Sequence, residues 1–168
     1  MNESTIESDL VKFFQMGQFF ASFPSKFSYT TNHMWAIPVR ALPGNLVDCA
    51  DTVYRFGLTT YAVRLLQDVY FIDWIISPPL PVKKRQNFGS IESKKAESDL
   101  FAPTSGIVKC FNQNALLDPS LINSSTYDRG WLLEMQICDP GDLLPVDQYL
   151  IHLDAAWTLA QKTIKGQL

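Results

Sequence analysis

The chain has 168 residues, with 14 Lys and Arg against 17 Asp and Glu, and a formal charge of −3. This length suits one domain that can bury a sizeable core. Because 46% of the residues are hydrophobic and only 18% are charged, the composition excludes a disordered chain. The mild acidity provides no basic face for nucleic acid, and no apolar run is long enough to cross a membrane. We therefore expect neither nucleic acid nor a membrane among the partners.

The start of the chain does not resemble a targeting segment. Glu3, Glu7 and Asp9 precede its first apolar stretch. A secretory signal carries positive charges in that place, and an organellar transit peptide contains few acidic residues. We therefore expect a cytoplasmic protein.

Cysteine and histidine usage argues against several enzyme classes. Cys49, Cys110 and Cys138 form no CxxC pair, and this argues against a zinc knuckle or a thioredoxin-type motif. His33 and His152 lack HExxH spacing, so no metal site is predicted. The sequence also contains no glycine-rich phosphate loop and no GxSxG elbow. A catalytic triad stays open, because triads assemble in space.

The first thirty residues are predicted to form a helical extension, residues 1–30, that packs on the main domain. Apolar residues recur at helical spacing from Ile6 to Phe20. Ser4 is a candidate N-cap, with Glu7 three residues later as the partner in a capping box. An alternative is that the Phe-rich face of this helix stays exposed and binds a partner.

The rest of the chain predicts short strands between turns, with two helices. A two-turn helix is expected at 60–67 behind the cap Thr59, and a long helix at 147–165. Short, numerous strands bounded by turn residues are typical of a small closed or sandwiched antiparallel β structure. The expected strands are 53–58, 68–76, 88–93, 99–103, 107–111 and 130–137.

Lys95 stands in a predicted tight turn between the strands 88–93 and 99–103. A lysine in a turn is ordinarily a solvated charge, and this interpretation stays open. The alternative is that the rigid hairpin presents one amine to a modifying enzyme. Acylation would remove the charge of the lysine and make it the anchor of a prosthetic arm.

The hairpin segment 88–103, FGSIESKKAESDLFAP, resembles the lipoylation hairpin of the glycine cleavage system H proteins. Aligning Glu92, Ser93 and Ala96 with that motif puts the lipoylated lysine at Lys95, with the other three as hairpin recognition residues. From 35 to 150 the chain shows further family landmarks in order, among them FGLTTYA at 56–62 and GWL at 130–132. Biotin carriers usually place Met on both sides of the modified lysine, where this chain has Lys94 and Ala96.

This resemblance implies a fold and a function. The fold is mainly β with flanking helices (α+β), a barrel-sandwich hybrid in which residues 31–168 form the carrier domain. The family is not itself an enzyme. Lipoate on Lys95 would carry the aminomethyl group of glycine between glycine decarboxylase, aminomethyltransferase and dihydrolipoyl dehydrogenase. A lipoate ligase or lipoyl transferase would attach it. His33 would lie beside the cleft that shelters the arm, and a structural, hydrogen-bonded histidine is the alternative.

Two other functions remain open from the sequence. One is an H-like lipoyl carrier of another pathway, such as lipoate relay or sulfur oxidation. The other is an unmodified H-like interaction module in which the N-terminal helix is the working surface. The chain departs from the family at Met34, which replaces the usual acid after His33, and at Gln67, which stands in the place of a usual Gly. These departures affect which partner enzymes would recognise the surface.

Overall fold

The computed structural model describes residues 10–42, 44, 53–137 and 139–166. Short 3₁₀ turns occur at Val39–Ala41 and Pro140–Asp142. The helices are α1 (Thr60–Leu66), α2 (Gln113–Leu117), α3 (Leu121–Ser124) and α4 (Val146–Gly166). The strands are β1 (Val11–Met16), β2 (Phe19–Pro24), β3 (Ser28–Tyr29), β4 (Met34–Pro38), β5 (Val53–Leu58), β6 (Val69–Trp74), β7 (Leu80–Val82), β8 (Asn87–Ser93), β9 (Glu97–Phe101), β10 (Gly106–Phe111) and β11 (Trp131–Gln136).

Two antiparallel sheets form the centre of the fold. The larger has the strand order β3-β4-β5-β11-β10-β7, and the smaller has the order β6-β8-β9. Apolar side chains from both sheets form one core, in which Phe56 and Leu132 of the large sheet and Phe88 of the small sheet are fully buried. The predicted class, mainly β with flanking helices, is confirmed, as are the strands expected at 53–58, 68–76, 88–93, 99–103, 107–111 and 130–137.

The short helix α1 forms where the sequence predicts it. The side chain of Thr59 accepts a hydrogen bond from the backbone N–H of Ala62, so it caps the first turn as expected. The helix ends at Gln67, whose backbone has φ 64° and ψ −146°. Glycine adopts this conformation freely and residues with a Cβ rarely do. The turn leads directly into β6, which is the first strand of the small sheet.

The predicted N-terminal helix is wrong over the described residues, because β1 and β2 form an antiparallel hairpin there. Gly17, with φ +64°, begins a two-residue turn between Met16 and Phe19. The apolar residues of this segment fit one face of a helix, but Phe14 and Met16 are two positions apart and so also lie on one side of a strand. Phe13, expected on the buried helical face, is 62% exposed. Residues 1–9, with the proposed cap Ser4, lie outside the described residues, and the division of the chain at residue 30 stays a prediction.

A second core fixes the hairpin against the body of the protein. Phe23 of β2 is fully buried, and its ring lies edge-on to those of Tyr29 and Tyr149, with centroids 5.7 Å and 5.5 Å away. The hydroxyl of Tyr127 donates to the backbone oxygen of Ser22 at 2.6 Å. The N-terminal hairpin therefore packs on α4 and on the segment before β11.

Candidate functional site: the Lys95 hairpin and its cleft

The hairpin of β8 and β9 presents Lys95 as the sequence predicts. The two strands pair in register up to Glu92 and Glu97, and the residues 94–96 form the turn between them. Lys94, Lys95 and Ala96 are all exposed. Within the described part of the chain, no ion pair involves Lys95. Its amine is therefore accessible to a modifying enzyme.

Ser93 holds the turn in shape. It is buried, and its Oγ accepts from the backbone N–H groups of Lys95 at 3.3 Å and of Ala96 at 3.2 Å. The same hydroxyl donates to the backbone oxygen of Ala96 at 3.0 Å. The backbone N–H of Lys94 donates to the oxygen of Asp68 at 2.8 Å, and so the tip is also tied to the start of β6. These bonds fix the backbone on both sides of Lys95 and leave its side chain free.

The outer face of the hairpin sheet is acidic. Glu92 lies opposite Glu97, and Ser90 lies between Asp73 of β6 and Asp99 of β9. The four carboxylates make no ion pair with any described residue. Like charges directly opposite each other destabilise a sheet, and a basic surface that approached this face would relieve that repulsion. Glu92 therefore belongs to an acidic surface beside the lysine, and the side-chain hydrogen bonds of the turn all come from Ser93.

A cavity of about 330 Å³ adjoins the hairpin on the side of α1. Its lining residue nearest in sequence to Lys95 is Ser98, three residues further along the chain, or about 10 Å at the rise of a β-strand. Most of its lining is apolar, and its polar lining residues include Asn32, His33 and Ser98. The apolar lining includes Met34, Leu58, Leu65, Ile91, Leu100 and Phe101. Such a cleft favours a ligand that is largely apolar and carries a few polar atoms.

His33 lines this cavity, is half-buried, and lies next to the buried hydroxyls of Tyr149 and Thr59. Its backbone has φ 67°, and its Nδ1 lies 2.9 Å from the hydroxyl of Tyr149 on α4. The hydroxyl of Tyr149 also lies 3.2 Å from Oγ1 of Thr59. Burial, together with the nearby His152, lowers the pKa of His33 to about 4. The ring is therefore neutral at physiological pH. It is hydrogen-bonded and it lines the cavity, whereas a position beside a lipoyl arm stays a prediction.

The sequence did not single out Tyr149, Thr59 or His152 as neighbours of His33. The ring centroid of His152 lies 5.6 Å from that of His33. Tyr149 is 116 positions from His33 in the chain. Thr59 was identified only as a helix cap. No local pattern identifies these contacts, because they form only when α4 packs against β1 and β3 and brings Tyr149 to His33 and Thr59.

Two further classes of site are not found in the described ranges 10–42, 44, 53–137 and 139–166. No group of three or more His, Cys, Asp or Glu side chains that could hold a metal ion occurs there. No helix in that part of the chain is long and apolar enough to span a membrane.

Comparison with known proteins decides the family. The family model of the glycine cleavage H-protein matches residues 43–159. The chain belongs to the glycine cleavage H-protein family. It is 34% identical to the glycine cleavage system H protein of Streptomyces coelicolor over 132 residues, which are 75% of this chain and 93% of that one. It is 38% identical to the H protein of Mycobacterium leprae over 120 residues, 71% and 83% of the two chains.

A solved structure of the family confirms the barrel-sandwich fold. The crystal structure of a glycine cleavage system H protein from Mycobacterium marinum is similar to this chain, with a TM-score of 0.62 and 34% identity. The similarity covers 76% of this chain and 95% of that one. The family match includes Lys95 and the whole of the small sheet, whereas His33 and the hairpin of β1 and β2 precede residue 43. The N-terminal hairpin is thus an addition to the part that matches the H-protein model.

Proposed function

We propose that this protein is a lipoyl carrier of the glycine cleavage system, with lipoate joined by an amide bond to Nζ of Lys95. The observation that carries the proposal is an exposed lysine on a hydrogen-bonded turn beside an apolar cleft, in a chain of the H-protein family. The residues present fit such an arm, because the amine is free to be acylated and the cleft can cover an apolar chain. Glu92, Ser93 and Ala96 would be the residues that the attaching enzyme recognises.

The protein itself would catalyse nothing. When bound, lipoate supplies a disulfide that accepts the aminomethyl group of glycine and is later re-formed by oxidation. This chain would present the arm to glycine decarboxylase, aminomethyltransferase and dihydrolipoyl dehydrogenase in turn. Leu58, Leu65 and Leu100 would exclude water from the arm between visits, because they form an apolar wall of the cleft. His33 would be the half-buried polar group that faces the arm.

The first test is modification of the full chain by a lipoate ligase or lipoyl transferase. We expect intact mass spectrometry to show one added lipoyl group, and peptide mapping to place it on Lys95. Lys95→Arg keeps the charge but should abolish the addition. Lys94→Arg is the matched control, since it changes the neighbouring exposed lysine and should leave the addition intact. An unmodified, folded wild-type protein beside an active ligase would reject the proposal and favour an interaction module.

The pathway needs a separate test. The lipoylated protein, mixed with the three partner enzymes, glycine, tetrahydrofolate and NAD, should support glycine-dependent release of carbon dioxide. The Lys95→Arg protein should not support it. A lipoylated protein that fails with all three enzymes would instead be an H-like carrier of another pathway.

A further inference from the structure

Two buried hydroxyl groups lie behind His33 in a single chain of hydrogen bonds. Thr59 and Tyr149 are both fully buried. The Tyr149 hydroxyl lies 2.9 Å from Nδ1 of His33 and 3.2 Å from Oγ1 of Thr59. Oγ1 of Thr59 in turn accepts from the backbone N–H of Ala62 at 3.4 Å. Each hydroxyl has one proton to donate, so the direction of the chain can be worked out from which groups can accept it.

Only one direction gives every proton an acceptor. If Nδ1 of His33 donated to Tyr149, Tyr149 would donate to Thr59, and the Thr59 proton would have no acceptor among the described residues. If Thr59 donates to Tyr149, Tyr149 donates to Nδ1 of His33, and no buried proton is left over. A buried hydroxyl without an acceptor is costly, and that cost corresponds to a population ratio of about tenfold or more.

We infer that Tyr149, held by Thr59, fixes His33 as the tautomer protonated on Nε2. Tyr149 is then a positioning residue for His33. Nε2 is the ring nitrogen that no described residue engages, and His33 lines the cleft beside the hairpin. The cleft therefore offers a neutral N–H donor to its occupant.

The chemical class of the occupant follows from this donor. An N–H group binds an atom with a free lone pair, such as a carbonyl oxygen or a neutral amine nitrogen, and cannot bind an ammonium group. This part of the inference rests on the proposed carrier function. A one-carbon amine on the arm would be held in its neutral form, with its lone pair directed to His33.

The test uses the full chain without lipoate, labelled with ¹⁵N, in long-range ¹H–¹⁵N spectra at neutral pH. His33 and His152 are the two histidines of the sequence, so two ring systems appear, and His152→Gln assigns them. His152 should also be protonated on Nε2, because that atom lies 3.0 Å from the backbone oxygen of Thr31. We expect a protonated Nε2 and an unprotonated Nδ1 for His33. The reverse pattern in the wild-type protein would overturn the inference.

Two variants separate positioning from packing. In Tyr149→Phe the preference for the Nε2 tautomer should fall from about tenfold or more toward the weaker preference of a free histidine ring, because the donor to Nδ1 is gone. Tyr61→Phe is the matched control: its ring centroid lies 4.7 Å from that of His33, but its hydroxyl makes no hydrogen bond to it. An unchanged ratio of the two tautomers in Tyr149→Phe would overturn the role of Tyr149.

The outcome is independent of the proposed function. The tautomer is measured before any lipoate is attached, whereas carrier function is judged by the mass added at Lys95. A protein with the expected tautomer and no modification rejects the carrier proposal and keeps the tautomer. A protein that is lipoylated at Lys95 but has His33 protonated on Nδ1 keeps the carrier proposal and rejects the tautomer.

Discussion

Replacing Gln67 with glycine should stabilise the protein. Gln67 has φ 64° and ψ −146°, a conformation that costs a residue with a Cβ about 1–3 kcal/mol. Two hydrogen bonds hold it there: its N–H donates to Val63 at 2.9 Å, and its oxygen accepts from Asn123 at 2.8 Å. Its side chain is exposed and makes no hydrogen bond that glycine would lose.

The expected gain is the strain removed less the extra freedom of glycine in the unfolded chain. The latter costs about 0.4–1 kcal/mol, and so Gln67→Gly should raise the free energy of unfolding by roughly 0.5–2 kcal/mol. Urea unfolding should show a higher midpoint with an unchanged slope. Gln67→Ala removes the same side chain but keeps the Cβ, and it should stay near the wild type. Equal stabilities of the Gly and Ala variants would refute the account of strain.

Three other changes test the core and the site. In the unfolded state His33 takes up a proton below pH 6.5, whereas in the folded state its pKa is about 4. The free energy of unfolding should therefore fall as the pH drops from 6.5 to 4. His33→Gln should flatten this part of the curve of stability against pH. Asn123→Ala should cost about 1–3 kcal/mol in urea unfolding, because it leaves the backbone N–H of Val69 without its 3.0 Å acceptor. Trp74→Phe should lower the free energy of unfolding less than Trp35→Phe does in the same assay. The buried Nε1 of Trp74 has no partner among the described residues, whereas Nε1 of Trp35 donates to the backbone oxygen of Thr126 at 2.9 Å. Equal costs would contradict this reasoning.

The Lys95 hairpin could be predicted from the sequence because its signals are local. Turn residues, β-branched and aromatic runs and the ESKKA segment all lie within sixteen residues, and each acts through backbone conformation or pairing of adjacent strands. The structure adds what holds the tip in place, namely the hydroxyl of Ser93 and the bond from Lys94 to Asp68. That second bond joins the turn to the residue before β6, 26 positions earlier in the chain, and no spacing in the sequence reveals it.

The N-terminal segment shows the limit of the same kind of reasoning. Its apolar residues fit one face of a helix and equally one side of a hairpin, because Phe residues occur at both spacings. Packing decided between them, since β2 buries Phe23 against Tyr29 and Tyr149 while Phe13 stays in solvent. Helical periodicity is a weak guide where tertiary contacts supply most of the stability.

The sequence by itself determined the family, the β-rich class, the cap of α1 and the lysine at the hairpin tip, because these depend on neighbours along the chain. Only the tertiary structure decided the cleft and the surroundings of His33. Tyr149 reaches that ring from 116 positions away, and it also contacts Thr59, which lies 90 positions before it in the chain. Such contacts form when separate elements pack around a shared core, and burial then sets the protonation of the group they surround.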